Sequence, residues 1–340
     1  MTGLHGATVK ARSEPHASNL VPISNTIYGP DQTEPAAKLR VLLAVLTTGA
    51  RNGPLRACVQ AIARLRPAFE VELELLLVQN GSGTITPELE ALRNEAIVPF
   101  DVAVEPRRGI PVARNRAIVE AEARSFDYLA FIDDDAAPDN DWLVEAMEVL
   151  RATGAQAVTG PQEPVFPDHA PRRLVNAAIY QAAEHDVDRP CTWAASNNVI
   201  FSVRFAVDHG LSFNETFTTG GSDKEYFKRF VRAGGIIRWA PRAIVREPVV
   251  PERLNVNWAI RRSWRLGTSG FRIEASVRPP RQAVAICLGK GACYLAGGIG
   301  LLPLAIVPKH AGYVNGLCYL AHGAGFVLGL TSRFRPRSYV

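Results

Sequence analysis

From residue 40 onward the chain repeats one unit, a short apolar run followed by a helical segment. The runs fall at 40–46, 71–78, 98–104 and 128–132, and helical patterns open at Pro54 and occupy 87–96 and 110–124. Runs apolar at nearly every position are buried on both faces, as in a parallel sheet with helices packed on two sides. The fold class is therefore α/β with a mainly parallel central sheet, and in open sheets of that kind ligands bind at the carboxyl ends of the strands. With 340 residues, 47% of them apolar and 21% charged, the chain supports a sizeable core and excludes wholesale disorder, collagen and coiled coil. The five cysteines include no Cys-x-x-Cys pair, which argues against a disulfide framework or a zinc site and suits a reducing, cytoplasmic setting.

The ends differ from this centre. Residues 1–38 mix Pro, Ser, Thr, Gly and His without an apolar period or a secretory run, and read as a flexible cytosolic leader. Residues 39–270 form the main domain. Within it Pro161, Pro164, Pro167 and Pro171 punctuate a loop before a helix expected over 173–184, followed by a strand at 198–202, a helix at 223–233 and a strand at 236–239. Residues 271–340 read as a membrane-associated helical pair. The apolar stretches 283–307, interrupted by Lys290, and 311–330 are each long enough to span a bilayer core of ~30 Å. Arg278 and Arg281 flank one side and Arg333, Arg335 and Arg337 the other, so the positive-inside rule puts both ends in the cytoplasm. Two helices completing a soluble core are the competing reading. Residues 251–340 hold twelve Lys/Arg against two Glu, although the whole chain is only +5. Apolar neighbours favour an anionic membrane or a phosphorylated ligand for these cations, and exclude nucleic acid as the partner.

Three clusters carry chemistry. Tyr128-Leu-Ala-Phe-Ile-Asp133-Asp134-Asp135 is a buried strand that ends in three acids. Their mutual repulsion calls for a cation, and a hard divalent ion, Mg²⁺ or Mn²⁺, completed by water and substrate phosphates is the expected one. Thr219-Gly220-Gly221-Ser222-Asp223 turns tightly into a helix, leaving Asp223 as either a helix cap or a lone functional acid. Glu105-Pro-Arg107-Arg108-Gly109 leads into a helix that carries Arg114 and Arg116, a start suited to an anion. Arg261, Arg262 and Arg265 lie close together in 258–267, suited to a diphosphate or to lipid headgroups.

Residues 41–267 resemble the inverting family-2 glycosyltransferases of the nucleotide-diphospho-sugar transferase (GT-A) fold, most closely bacterial exopolysaccharide enzymes of the succinoglycan glucosyltransferase type. The landmarks are Val78-Gln-Asn-Gly-Ser82, Glu105-Pro-Arg-Arg-Gly109, Ala113-Arg-Asn-Arg116, Phe131 to Asp135, Ser196-Asn-Asn198, Gly220-Gly-Ser-Asp223 and 258–267. The resemblance implies that Asp133 and Asp135 form the Asp-x-Asp metal motif, with Asp133 and Asp134 on the nucleotide side, and that Asp223 is the catalytic base. It implies a nucleotide pocket lined by Thr47, Arg51, Asn80, Arg107, Gly109 and Arg114, and closed over the diphosphate by Arg261, Arg262 and Arg265. Trp193 and Asn197 fall near the sugars, although core packing accounts for Trp193 equally well. Gln79 stands where many relatives have Asp, and Ser222 where they have Glu.

The implied reaction moves a hexose, such as glucose from a UDP-sugar, onto a polyprenyl-diphosphate-linked or oligosaccharide acceptor at the cytoplasmic leaflet of the cell membrane. Two readings compete with it. One is a non-catalytic membrane-surface protein that keeps the nucleotide or saccharide pocket. The other is a glycoside hydrolase, which also needs two carboxylates but not the arginines.

Overall fold

The computed structural model describes residues 38–49, 52–95, 97–306 and 311–331. Residues 1–37 of the leader, Arg51, Arg333, Arg335 and Arg337 lie outside them. The described residues fall within one compact unit.

The elements run β1 (Leu39–Thr47), α1 (Asn52–Ile62), β2 (Val71–Asn80), α2 (Pro87–Asn94), β3 (Asp101–Glu105), α3 (Ile110–Ala123), β4 (Tyr128–Asp133), β5 (Ala137–Pro138) and α4 (Trp142–Thr153). There follow β6 (Ala157–Thr159), β7 (Gln162–Val165), α5 (Arg172–Val175), β8 (Asn198–Ser202), α6 (Val203–Asp208), α7 (Ser222–Arg232), β9 (Ile237–Trp239) and β10 (Val245–Pro248). Three helices close the chain, α8 (Val256–Ala275), α9 (Pro280–Leu301) and α10 (Gly312–Leu328).

The central sheet has the order β3-β2-β1-β4-β8-β6-β9. It is mainly parallel, with β8 reversed between β4 and β6. Along β1, Leu42 and Ala44 face one apolar layer while Val41, Leu43 and Val45 face the other; Leu129 and Phe131 alternate with Ala130 and Ile132 in β4 in the same way. This period of two explains why the runs are apolar throughout: α3, α6 and α7 cover one face and α1, α2 and α4 the other. The parallel registers Thr47↔Gln79, Asn80↔Glu105 and Leu46↔Asp133 bring the ends of β1 to β4 to one edge. A small sheet, β5-β10-β7, borders that edge.

On the α7 side the core is aromatic. Tyr226 stacks on Phe213 with centroids 4.0 Å apart, and Phe201, Phe227 and Phe230 surround the pair. The Tyr226 hydroxyl is buried with no hydrogen-bond partner among the described residues. Such a group costs stability, so Tyr226→Phe is expected to hold or raise the thermal midpoint, by up to about 1 kcal/mol of stability. A lowered midpoint would mean that the hydroxyl is satisfied after all.

The helix expected over 173–184 is not formed. The structure has four helical residues in α5 and a single 3-10 turn at Ala178–Tyr180. Leu174, Ala177 and Tyr180, three residues apart, pack with Ala259 of α8 and Val314 and Cys318 of α10. The Ala178 N–H donates to Asn315 Oδ1 at 2.8 Å and the Tyr180 hydroxyl to the Arg253 carbonyl at 2.5 Å. Tertiary partners thus replace the bonds a longer helix would have made.

At the C-terminal end, α9 with its 3-10 extension (Pro280–Leu304, 25 residues, mean hydropathy 1.5) is the one helix among the described residues long and apolar enough to cross a membrane. The second apolar stretch is different. Its 17 helical residues extend about 26 Å, short of the ~30 Å hydrocarbon core, and they pack on both α8 and α9. A Cβ on Gly267 of α8 would meet the His322 carbonyl of α10 at 2.3 Å, and one on Gly323 of α10 would meet the Gly291 carbonyl of α9 at 2.8 Å, so glycine permits both contacts. The domain boundary expected after residue 270 falls inside α8.

Candidate active site

Asp133 ends β4, and its carboxyl is pushed up to about 7 by burial, with Arg114 pulling it down and Glu247, Asp135 and Asp134 adding to the rise. A strand end that collects this much negative charge is suited to a cation. Among the described residues no three of His, Cys, Asp and Glu converge as a ready-made metal cage. Asp133 and Asp135 supply hard oxygen donors, which fits an ion held by one or two carboxylates and completed by phosphate and water. Asp134 lies close enough to raise the Cys58 thiol more than either of its neighbours does, although burial is the main cause of that rise. The Cys58 thiol donates to the Asp133 carbonyl at 3.6 Å, tying α1 to the end of β4.

Arg114, in the second turn of α3, connects the acidic loop to the second acid. Its Nη1 donates to Ser222 Oγ at 2.9 Å and its guanidinium lies 5.3 Å from the Phe213 ring. Burial lowers its proton affinity, opposed by Asp223 and Asp133, the two carboxylates it serves. Ser222 therefore has a specific partner here. Gly220 and Gly221 take positive φ values of 107° and 85°, and a Cβ on Gly221 would meet Ile273 and Ser269 of α8. This glycine turn seats Asp223 in the first turn of α7 beneath α8.

On the β2 side, the structure shows what Asn80 and Gln79 do. Asn80 Nδ2 donates to the Arg107 carbonyl at 2.6 Å and its Oδ1 accepts from the Gly109 N–H at 2.9 Å, so Asn80 clamps the loop ahead of α3. Gln79, fully buried, donates to the Thr84 carbonyl and accepts from the Thr86 N–H, which commits both ends of its amide to the loop after β2. Arg107 is exposed and ion-paired with Glu105 and Glu215, each at 3.1 Å. Burial works against the Glu105 carboxylate, but the Arg107 hydrogen bonds outweigh it and hold it below the usual range. Thr47 is buried, and its Oγ1 accepts from the Gly49 N–H at 3.1 Å.

Of the three arginines on α8, Arg261 and Arg262 are exposed and Arg265 is half-buried, and Arg262 is near enough to the acids for them to support its charge. Burial lowers the proton affinity of Arg262, while Glu247, Asp223 and Asp133 support its charge; its guanidinium lies 5.4 Å from the Trp258 ring. Burial and the nearby Arg262 and Arg253 lower that of Arg265.

Two residues that no motif signals complete the cluster. Arg253 donates to Glu247 at 2.6 Å and sits 3.9 Å from Asp135. Glu247 also accepts from Gln162, which in turn accepts from Asn197. These contacts depend on β10 pairing with β5 and β7, so nothing in the local sequence reveals them. Beside them, Asn198 accepts from Trp142 and donates to the carbonyls of Pro161 and Ala243, each bond 2.8 Å, which anchors the start of β8 in the core. Ser196 Oγ is buried without a partner among the described residues. The Lys224 ammonium lies 4.7 Å from the Trp193 ring.

Known proteins resemble this chain in sequence and in fold. The succinoglycan biosynthesis protein ExoM of Rhizobium meliloti is 27% identical over 289 residues, covering 78% of this chain and 90% of that protein. Glycosyltransferase AglE of Haloferax volcanii is 32% identical over 96 residues, 28% of this chain and 31% of that protein. A mannosyltransferase from Pyrobaculum calidifontis, solved in complex with GDP-Man and Mn²⁺, superposes with a TM-score of 0.55 at 19% identity, covering 86% of this chain and 88% of that one, so the GT-A fold is common to both. The family model of glycosyl transferase family 2 matches residues 45–228, the span from the end of β1 through the acidic strand end to Asp223 and α7. More than half of the chain, including Asp133, Arg114 and Asp223, thus lies within that match, and the chain belongs to glycosyl transferase family 2.

Proposed function

We propose that this glycosyltransferase moves a hexose from a nucleoside-diphosphate sugar, UDP-linked in the simplest case, to a polyprenyl-diphosphate-linked or growing saccharide acceptor, with inversion at the anomeric carbon. The observation that carries the reading is Arg114, which donates to Ser222 Oγ next to Asp223 and whose charge both Asp133 and Asp223 support, so that one cation serves a strand-end acid and a lone acid.

Asp223 accepts the proton of the acceptor hydroxyl as its oxygen bonds to the anomeric carbon, and the bond to the diphosphate breaks on the opposite face. Charge then builds on the leaving diphosphate. Arg262 and Arg265 neutralise it, and Arg114 offsets the negative charge of Asp133 and Asp223. Asp133 and Asp135 would hold a divalent ion, which when bound supplies further positive charge to the diphosphate. Asn80 and Gln79 act by holding the loops that border the nucleotide pocket.

The setting we propose is exopolysaccharide assembly at the cytoplasmic leaflet. The similarity to ExoM supports it, as does the exposed apolar face of α9, where Leu288, Ala292, Ala296 and Ile299 recur at helical spacing. The test is release of nucleoside diphosphate from UDP-, GDP- and dTDP-sugars by the full-length protein, with membrane lipid extract as acceptor. One donor is expected to be turned over, with activity lost in EDTA and restored by Mg²⁺ or Mn²⁺. Full turnover in EDTA would remove Asp135 from its role, and donor binding without turnover would favour a non-catalytic pocket.

A further inference from the structure

We propose that Lys224, supported by Lys228 and Lys290, forms a second anion site beside the base, which takes the phosphate or diphosphate group of the acceptor. The proposal rests on the transfer reaction above and adds the chemistry by which its acceptor is recognised. Lys224 follows Asp223 directly in the first turn of α7, with its ammonium over the Trp193 ring and no carboxylate within ion-pair distance among the described residues. Behind it lies an unusual concentration of positive charge. Lys228 of α7 and Lys290 of α9 both donate to Glu274 Oε1, each at 2.7 Å, and Arg278 donates to Glu274 Oε2 at 2.6 Å. One buried carboxylate thus serves three cations, with Lys224 as a fourth cation nearby. Burial and the proximity of Lys228 and Lys290 push the Lys224 ammonium down, and Asp223 and Glu274 offset this only in part. An anion beside Lys224 would offset the excess of three cations over the one Glu274 carboxylate.

The position also selects which anion. The donor-side arginines, Arg114, Arg253 and Arg262, gather around Asp133 and Glu247. Lys224 and Lys228 instead lie one turn apart on α7, and Lys228 reaches Glu274 of α8, which it shares with Lys290 of α9. A phosphate held by Lys224 would lie beside the base in the first turn of α7. The sugar attached to that phosphate would present its hydroxyls to Asp223, one residue away.

The experiment measures equilibrium binding of farnesyl diphosphate and of farnesol to the full-length protein in non-ionic detergent, with UDP at saturation so that the donor site is filled. Farnesyl diphosphate is expected to bind in the presence of UDP, with farnesol at least about tenfold weaker. Lys224→Gln should weaken farnesyl diphosphate about tenfold, the loss of one charge-assisted hydrogen bond, and Lys224→Arg should restore most of it. UDP affinity should be the same in all three proteins. Equal binding of farnesyl diphosphate by the wild type and Lys224→Gln would overturn the site, and so would its displacement by UDP, since the anion would then occupy the donor arginines. Failure of the wild type to bind UDP would instead overturn the transfer reading on which the proposal rests.

Discussion

Asp223→Asn is expected to lower sugar transfer by about 10²–10⁴-fold, the usual contribution of a positioned general base. Donor binding should change little, because the amide keeps the shape of the carboxylate and, in the proposed reaction, Arg262 and Arg265 hold the diphosphate. The informative comparison is kcat against the affinity for UDP, measured on the same preparation. A fall in kcat with UDP affinity retained assigns proton removal to Asp223. A parallel loss of both would assign it to donor binding instead, through the field it shares with Arg114 and Arg262.

The second large effect concerns stability. Glu274→Gln leaves Lys228, Lys290 and Arg278 around a neutral amide, and breaking a buried charge cluster in this way is expected to cost about 3 kcal/mol. Burial works against the Glu274 carboxylate, but hydrogen bonds from Lys228 and Lys290 outweigh it and lower its pKa from 4.5 to about 2. Because the folded value lies below the unfolded one, this contribution is fully present above about pH 4.5 and is lost as pH falls toward about 2. Urea midpoints for both proteins between pH 7 and pH 3 test this. The gap between wild type and variant should be widest at pH 7 and narrow below pH 4.5; a gap independent of pH would mean that Glu274 is not the titrating group.

The same cluster explains a feature that reads ambiguously along the chain. Lys290 interrupts an apolar stretch, which in sequence is as compatible with a core helix as with a membrane-facing one. In the fold it pairs with Glu274 while Leu288, Ala292 and Ile299 remain exposed, so one helix packs on α8 and also presents an apolar face. The helix α10 is not a detachable anchor. Removing residues after Arg281 would uncover Gly267 and Gly270, against which His322 and Phe326 of α10 are packed. Loss of transfer on truncation would therefore report damage to α8 and its arginines as well as loss of membrane contact.

What could be read from the sequence follows the range of the interactions. Burial of β1, β2 and β4 on both faces leaves its mark within each run, so the parallel sheet, the edge where the strands end and Asp133 at that edge were determined by local pattern. The glycine pair before Asp223 marks a turn that the backbone must make, and it too was legible. The failed expectation over 173–184 shows the limit: an apolar spacing of three fits a helix and a succession of tight turns alike, and contacts with α8 and α10 selected the turns. Gln79 and Asn80 were visible as residues, but their commitment to neighbouring loops depends on how β2 and β3 end side by side. Only the tertiary structure brought Arg253 to Asp135, Glu247 to Arg253 and Lys290 to Glu274. Electrostatic pairing acts between side chains wherever the backbone places them and leaves no periodicity in sequence, whereas burial of a strand is recorded residue by residue.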